Sequence, residues 1–350
     1  MFQKNFYNIS QKISSSNYVN NCRYIKEFIN WNKVIIHKRN KLKKERTNLL
    51  RILKNRLNGE LMPYFQNENV KLYYEDVGEG EPIIANHGLM EDITYWSETG
   101  VTAKLAEKYR MISMDMRAHG RTVVDGEPFG YDADTIGDDI DRLANYLEID
   151  RFHLLTHATG GMAGVRYAMT NFERLISLIL TDTGSATIPD YFIDESNRPV
   201  PSEKLNAAWE KWISTGSYED VIKEMRKEPG PFLFKMEEHP NRDEMWKIYK
   251  GFFKHANPQE FIRFNSTFYA DINPKVRMLR KIKCPTLILL GEDDIVFFKP
   301  SEIMAKKIPD VRHVIFDGVG HMTAIEAPER TTKEILDFLE TVSQTGKANM

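Results

Sequence analysis

The stretch Thr156-His157-Ala158-Thr159-Gly160-Gly161 decides the fold, and it directly follows the apolar run Phe152-His153-Leu154-Leu155. An apolar strand that runs into a short turn with two glycines predicts a sharp strand-to-helix bend, which holds one side chain up at the edge of a sheet. The residue at the apex of this bend is Ala158. Because a methyl group is not a nucleophile, the stretch predicts the architecture of a reactive site without its reactive atom.

Short apolar strands alternate with helical segments on both sides of this bend, which predicts an α/β fold with a mostly parallel, doubly wound sheet. We expect strands at 70–74, 82–86, 110–116, 152–157, 175–180, 284–290 and 311–316. We expect helices at 102–108, 134–147, 161–169, 301–307 and 328–342. The predicted core therefore comprises residues 62–185 and 281–342, followed by a frayed tail at 343–350.

Residues 186–280 interrupt the alternation with helical segments and contain 15 aromatic residues, among them Trp209, Trp212 and Trp246. A helical insertion between two strands predicts a lid over the carboxyl edge of the sheet, where ligands bind in open α/β folds. Some of its large apolar residues must form a core of the lid itself. The others predict a small apolar or aromatic ligand.

The composition is that of an ordinary globular protein, with 41% hydrophobic and 28% charged residues among 350. No apolar run approaches the length of a membrane-spanning helix. Cys22 and Cys284 lack metal-ligand spacing, which argues against a disulfide framework or a zinc site and favours a reducing, cytoplasmic location.

Residues 1–58 hold 14 Lys and Arg against two acidic residues, whereas the remainder of the chain has a net charge of −14. This segment has no Gly, Ala, Pro or Asp and is rich in Asn, Lys and Ile, as translated AT-rich DNA would be. We therefore expect residues 1–61 to be a basic extension outside the fold, which begins near Met62. An organelle-import signal and a helical arm are the alternatives.

Six motifs follow one another in a fixed order: His87-Gly88, Asp115-Met116-Arg117-Ala118-His119-Gly120, the bend at 156–161, the helical insertion, Gly291-Glu292-Asp293-Asp294 and Gly318-Val319-Gly320-His321. Over about residues 62–341 the chain resembles the α/β-hydrolase superfamily. It is most similar to lid-bearing esterases and lactonases, such as enol-lactone hydrolases, and to related carbon–carbon bond hydrolases. The bend corresponds to the nucleophile elbow of that family.

The resemblance implies a catalytic triad in the order nucleophile, acid, base, which maps to Ala158, Asp294 and His321. It also implies an oxyanion hole formed by the backbone amides of Leu89 and Thr159. Hydrolases of this fold need no cofactor and no metal, so we expect neither. The acidic body and the absence of a phosphate-binding loop argue against a nucleic-acid partner.

Several neighbouring residues have competing interpretations. Asp182 lies where some relatives place the acid, and Glu292 and Asp293 lie beside Asp294. Trp96, Gly88 and His157 are candidates for contact with the substrate, although Trp96 could simply pack and His157 could lie beneath the elbow. The remaining candidates, expected to support loops rather than touch substrate, are His87, Arg117 and His119.

Three explanations of Ala158 remain open. The first is an acyl-transfer hydrolase of an ester, lactone or activated ketone in which an engineered change has replaced a serine. The second is a lyase, isomerase or hydratase that uses the His321–Asp294 pair as general base without covalent catalysis. The third is a non-catalytic receptor that retains the pocket for a small molecule.

Overall fold

A computed structural model describes residues 64–126, 129–185, 210–270 and 275–349. The expectations for the N-terminal extension 1–61 and for the first part of the insertion, including Trp209, lie outside these residues.

Nine strands of the described residues form one sheet. They are β1 (Tyr64–Asn67), β2 (Val70–Val77), β3 (Glu81–Asn86), β4 (Tyr109–Met114), β5 (Val123–Val124), β6 (Phe152–His157), β7 (Leu175–Thr181), β8 (Thr286–Gly291) and β9 (Val311–Phe316). Their order is β1-β2-β4-β3-β6-β7-β8-β9, with β5 paired to β2. All pairs from β4 to β9 along this order are parallel, whereas β2 pairs antiparallel with β1, β4 and β5.

Helices cover both faces of the sheet and form the insertion. Those of the core are α1 (Thr94–Ser97), α2 (Val101–Leu105), α3 (Ala133–Tyr146), α4 (Ala158–Asn171), α9 (Phe298–Lys307), α10 (Thr323–Glu326) and α11 (Pro328–Thr345). Those of the insertion are α5 (Tyr218–Lys227), α6 (Gly230–Glu238), α7 (Arg242–Gly251) and α8 (Pro258–Phe268).

The central strands are buried on both faces, as expected when helices cover a parallel sheet. All six residues of β6 and all six of β8 are buried. Alternate residues of the strands therefore contribute to two hydrophobic clusters, one on each side of the sheet. One cluster also contains insertion residues such as Trp246, Phe252 and Phe253, so the insertion shares its apolar core with the sheet.

Helix α3 shows how local sequence sets an element and connects it to the loop after β4. Asp132 caps its N-terminus by accepting a hydrogen bond from the Thr135 amide at 2.9 Å. Its apolar residues at helical spacing face the sheet, and each such burial contributes about 1.5–3 kcal/mol. The buried Asp139 of this helix binds Arg117 through two hydrogen bonds of 2.6 and 2.9 Å.

The predicted alternation of strands and helices is confirmed. The structure adds two short strands to it and corrects the prediction for the C-terminal residues. Strands β1 and β5 are not predicted from the sequence, because both are short and their pairing with β2 depends on distant residues. The expectation of a frayed tail is wrong for residues 343–349. Helix α11 continues to Thr345, Gly346 ends it with a φ of 67°, and the buried Ala348 donates its N–H to Asp310 at 3.1 Å.

Among the described residues, no helix is long and apolar enough to cross a bilayer.

The Arg117–Asp139 pair gives a stability prediction, because both side chains are almost fully buried. Asp139→Ala leaves a buried guanidinium without its partner and is expected to lower the free energy of unfolding by about 3–5 kcal/mol. Asp337→Ala removes the exposed partner of Lys333 and should cost no more than about 1 kcal/mol. Urea denaturation at neutral pH measures both, and equal costs would contradict the role given to the buried pair.

Candidate active site

The bend between β6 and α4 presents Ala158 in a strained backbone conformation. Its φ is +44°, in the left-handed region, and the residue is 5% exposed. A non-glycine residue held there costs about 1–3 kcal/mol, which the surrounding contacts must offset. The Thr183 hydroxyl donates a 2.6 Å hydrogen bond to the Ala158 carbonyl and helps to hold the bend.

The glycines after the apex permit two close approaches of backbone to neighbouring loops. A Cβ on Gly160 would lie 2.2 Å from the His87 carbonyl oxygen, and one on Gly161 would lie 2.6 Å from the Thr183 side chain. A larger residue at 160 would push the start of α4 away from the loop after β3, and one at 161 would push it away from the loop after β7. Gly160 therefore allows Ala158 and the His87–Leu89 loop to come together.

The predicted acid and base meet at the carboxyl edge of the sheet. His321 Nδ1 lies 2.8 Å from Asp294 Oδ2, and Asp294 is fully buried. The other oxygen of Asp294 accepts hydrogen bonds from the Val296 and Phe297 amides at 3.1 and 3.0 Å, which fixes the carboxylate. Such an arrangement can orient the imidazole and stabilise it when it takes up a proton.

A second close approach brings the loops of this pair together. A Cβ on Gly291, at the end of β8, would lie 2.0 Å from the Gly320 carbonyl oxygen. The glycine therefore allows the loop with Asp294 to pack directly on the loop with His321. The need for a residue without a Cβ at this contact explains the glycine of the Gly-x-x-Asp motif.

Two phenylalanines flank the ring of His321. Phe297 stacks on it with ring centroids 5.4 Å apart, and Phe232 of the insertion lies at 4.7 Å. Within the described residues His321 makes no hydrogen bond through Nε2, and the residue is 5% exposed. The free nitrogen of the base thus lies in an apolar setting.

Asp182, the alternative acid, is engaged elsewhere. Its Oδ1 accepts a hydrogen bond from the Gly291 amide at 3.1 Å, and its Oδ2 accepts one from the Thr323 hydroxyl at 2.5 Å. Burial, and next the charge of Asp294, raise the pKa of Asp182 well above its usual range. Asp182 therefore ties the β7, β8 and His321 loops together, and Asp294 is the carboxylate that binds His321.

The other two acids of the motif do not bind His321 either. Asp293 forms a 3.0 Å ion pair with Lys235 of α6, and Glu292 is exposed. The pair connects the β8 loop to the insertion.

The expectation that His87 supports its loop is confirmed. Its Nδ1 donates to the Gly88 carbonyl at 2.8 Å, and its Nε2 accepts the Met116 N–H at 3.1 Å. Burial lowers the pKa of His87 well below its usual range, so the ring is neutral. Both nitrogens are thus occupied in holding the loops after β3 and β4.

The loop that carries Leu89, one of the two residues predicted for the oxyanion hole, approaches Ala158 through Gly88. A Cβ on Gly88, the residue before Leu89, would lie 3.0 Å from the Ala158 Cβ. Thr159 follows Ala158 directly, and its hydroxyl is 2.7 Å from the Tyr269 hydroxyl. The Thr159 hydroxyl is thus bound to the end of the insertion and is not free to replace a nucleophile.

His157 and Trp96, two of the three predicted substrate contacts, are fully buried. The His157 ring stacks on Tyr95 with centroids 4.3 Å apart and lies 3.0 Å from the Thr181 hydroxyl, beneath the elbow. Trp96 belongs to the hydrophobic cluster between sheet and insertion. Contact of either with a substrate stays a prediction, and it requires that their neighbours move.

Arg117 and His119 hold loops, as predicted. Arg117 binds Asp139 and donates a 3.2 Å hydrogen bond to the Phe129 carbonyl. His119 Nδ1 donates to the Arg117 carbonyl at 2.8 Å, and its ring packs edge-on against Phe264 of α8 at 4.8 Å.

Glu91 was not predicted from the sequence as a site residue, and neither were Phe297, which stacks on His321, and Thr183, which binds the elbow. Glu91 is 2% exposed, its Oε2 accepts the Gly88 N–H at 2.6 Å, and its Oε1 lies 3.2 Å from His157 Nε2. Burial raises the pKa of Glu91 to about 8. The signal for Glu91 in the sequence is an acidic residue three positions after Gly88, because a residue so close to the predicted oxyanion loop lies next to the site.

In the described part of the chain, no group of three or more His, Cys, Asp or Glu side chains is arranged to hold a metal ion.

The order of the strands, the elbow and the paired acid and base define the class of the protein. The sequence model of the alpha/beta hydrolase fold family matches residues 81–328 of the chain. The chain therefore belongs to this family. Among curated proteins it is similar to the non-heme chloroperoxidase of Kitasatospora aureofaciens, with 26% identity over 78% of this chain and 97% of that protein. It is also similar to a 2-hydroxy-6-oxononadienedioate/2-hydroxy-6-oxononatrienedioate hydrolase of Paraburkholderia xenovorans, with 24% identity over 77% and 91% of the chains.

Solved structures show the same fold. A thermophilic esterase from Thermogutta terrifontis has a TM-score of 0.64 and 25% identity, covering 80% of this chain and 97% of that one. The enol-lactonase from Burkholderia xenovorans has a TM-score of 0.64 and 21% identity, covering 79% and 100%. Homologues of these kinds support a hydrolase at the level of the family.

The close approach at Gly160 gives a second prediction. Gly160→Ala places a methyl group against a backbone oxygen and is expected to lower the free energy of unfolding by about 1–3 kcal/mol or more. Gly251→Ala is the matched control, since that glycine has helical backbone angles and nothing within 4 Å of a new Cβ. It should leave stability unchanged or raise it by up to about 1 kcal/mol. Thermal unfolding of both variants checks this, and equal effects would contradict the packing described.

Proposed function

We propose that the site is that of an acyl-transfer hydrolase for an ester, lactone or activated ketone of a small apolar or aromatic molecule. In this proposal Ala158 occupies the nucleophile position, His321 is the general base and Asp294 orients it. The observation that supports it most is the 2.8 Å contact of His321 with Asp294 beside an elbow that keeps its strained backbone. That strain has a chemical use only if a side chain at residue 158 is presented to a substrate.

The chemistry follows from the positions of these groups. With a serine at residue 158, His321 would take the hydroxyl proton while the oxygen attacked the carbonyl carbon. The Leu89 and Thr159 amides would bind the developing oxyanion, and the protonated His321 would return its proton to the leaving group. Water would then release the acyl group by the same steps. The chain as it stands has only a methyl group there, so we expect negligible acyl transfer.

We also propose that residues 186–280 act as a lid, of which 210–270 and 275–280 are described. Three contacts join this segment to the site: Thr159 with Tyr269, Asp293 with Lys235, and His321 with Phe232. Most of the aromatic residues in its described part are buried, and they lie in cores shared with the sheet, whereas some were expected to form a core of the lid itself. Phe232, half-buried and beside the base, supports an apolar or aromatic ligand.

A non-covalent reaction is the second candidate function, favoured by His321 Nε2, which has no hydrogen-bond partner among the described residues. A base that is oriented by a buried carboxylate and has no such partner can take a proton from water or from a substrate carbon. This would make the protein a lyase, isomerase or hydratase.

Ala158→Ser tests the proposal with an aryl ester of a short acyl chain as substrate. We expect hydrolysis to rise by about 10³-fold or more, because the added hydroxyl completes the triad. Ala158→Gly changes the same side chain without adding a hydroxyl and should gain nothing. The double variant Ala158→Ser with His321→Ala should lose the gain.

Other outcomes overturn the proposal in distinct ways. If Ala158→Ser gains no activity while His321→Ala abolishes a conversion by the unaltered chain, the non-covalent reaction is correct. If neither change affects any reaction but a small molecule binds tightly, the protein is a receptor.

A further inference from the structure

Glu91 lies between the two sides of the oxyanion site. One carboxyl oxygen accepts the Gly88 N–H at 2.6 Å, and the other is 3.2 Å from His157 Nε2. Gly88 precedes Leu89 in the chain, and His157 precedes Ala158 and Thr159. The carboxyl therefore joins the residues that lead into the two proposed oxyanion amides.

The His157 end of this bridge is firmly held. Its ring stacks on Tyr95 at a centroid distance of 4.3 Å, and its Nδ1 lies 3.0 Å from the Thr181 hydroxyl. Tyr95 is fully buried, and its hydroxyl accepts the Ala324 N–H at 3.3 Å. A shift of Glu91 relative to His157 would thus disturb several buried contacts at once.

The Gly88 end of the bridge has little room to move. A Cβ on Gly88 would lie 2.9 Å from Glu91 Oε2 and 3.0 Å from both the Ala158 Cβ and His157 Cδ2. The loop after β3, the elbow and the Glu91 carboxyl are therefore all in close contact at Gly88. Because hydrogen-bond donors in an oxyanion hole must be placed to within about 0.5 Å, a fixed separation of the two sides matters for catalysis.

We propose that Glu91 is a positioning residue, whose carboxyl bridges Gly88 and His157 and thereby sets the separation of the Leu89 and Thr159 amides. This inference rests on the proposed function, since those amides serve as the oxyanion hole only in that reaction. Glu91 itself does not contact the substrate. It acts through the backbone of the loop and the ring beneath the elbow.

The Glu91 carboxyl and the His157 ring are both uncharged near neutral pH, which favours an oxyanion beside them. Burial raises the pKa of Glu91 to about 8 and lowers the pKa of His157 well below its usual range. Near neutral pH the carboxyl is therefore protonated and the imidazole uncharged, so the bridge adds no negative charge beside the amides. Above about pH 8 the carboxyl ionises, and its charge opposes the developing oxyanion. The other titratable groups that face the bridge are His87, Tyr95, Asp182, Tyr249, Asp294 and His321.

The kinetic test uses the Ala158→Ser variant as parent and a 4-nitrophenyl ester of a short acyl chain. Glu91→Leu removes both contacts, and we expect kcat to fall about 10- to 100-fold with KM nearly unchanged, since the oxyanion donors act in the transition state. Glu91→Gln can still accept from Gly88 and keeps a polar group of the same size beside His157 Nε2, so kcat should stay within about threefold. Glu98→Gln changes an exposed glutamate nearby and is the control.

The pH profile separates positioning from a general structural role. In the parent variant kcat should decline above about pH 8, and in the Glu91→Gln background that decline should be absent. An unchanged kcat in Glu91→Leu, or a decline that persists in Glu91→Gln, would overturn the proposal. If Glu91→Leu does not fold, the pH dependence of kcat in the Glu91→Gln variant still tests the proposal.

A readout without turnover separates this inference from the proposed function. In the chain with Ala158 in place, the amide NMR signals of Gly88 and Thr159 should shift together with a midpoint near pH 8. Glu91→Gln should abolish both shifts. If the signals titrate but Ala158→Ser gains no hydrolysis, the bridge exists and the acyl-transfer function is wrong. If Ala158→Ser is active but neither signal titrates, the bridge is wrong.

Discussion

The contact between the start of α4 and the His87 carbonyl is the constraint on which the candidate site depends. Only a residue without a Cβ fits at Gly160, where a side chain would lie 2.2 Å from that oxygen. This approach places the loop after β3, which carries Leu89, beside the elbow that carries Ala158 and Thr159. A similar approach at Gly291 places Asp294 beside His321. Two glycines thus bring together the loops on which all the proposed site residues lie.

The elbow and the His321–Asp294 pair are held in place although residue 158 is an alanine. Ala158 keeps a left-handed backbone, Thr183 still binds its carbonyl, and Asp294 still holds His321. Each of these features has a cost, either in backbone strain or in the burial of polar groups. Their joint presence supports the proposed function, in which residue 158 is the one position that lacks its reactive group.

Much of this could be predicted from the sequence, because local patterns determine it. The strands at 152–157 and 311–316 have the predicted bounds, since apolar and β-branched residues between turn residues are a clear signal even where Arg312 and His313 interrupt them. The spacing Gly-x-x-Asp selects Asp294 over Asp293 as the partner of His321. The contacts that decide against Asp182 as the acid join residues far apart in the chain, and spacing alone could not show them.

The bridge through Glu91 could not be predicted for the same reason. Glu91 and His157 are 66 positions apart, and their contact depends on how β3 and β6 pair. Nor could the sequence divide the aromatic residues of the insertion between core and ligand. That division depends on which of them the sheet covers: Phe252 and Phe253 are buried, whereas Phe232 is half-buried beside His321.

The proposal that the site lacks only a nucleophile at residue 158 is tested most directly by covalent labelling of the Ala158→Ser variant. The reagent is a fluorophosphonate, and intact-protein mass spectrometry detects the product. A fluorophosphonate reacts with a serine hydroxyl that is activated by a base and faces an oxyanion hole. We expect one added phosphonyl group on the new serine at residue 158, none on the unaltered chain, and none when His321→Ala is also present. An unlabelled Ala158→Ser variant that is correctly folded would contradict the claim that one side chain is all the site lacks.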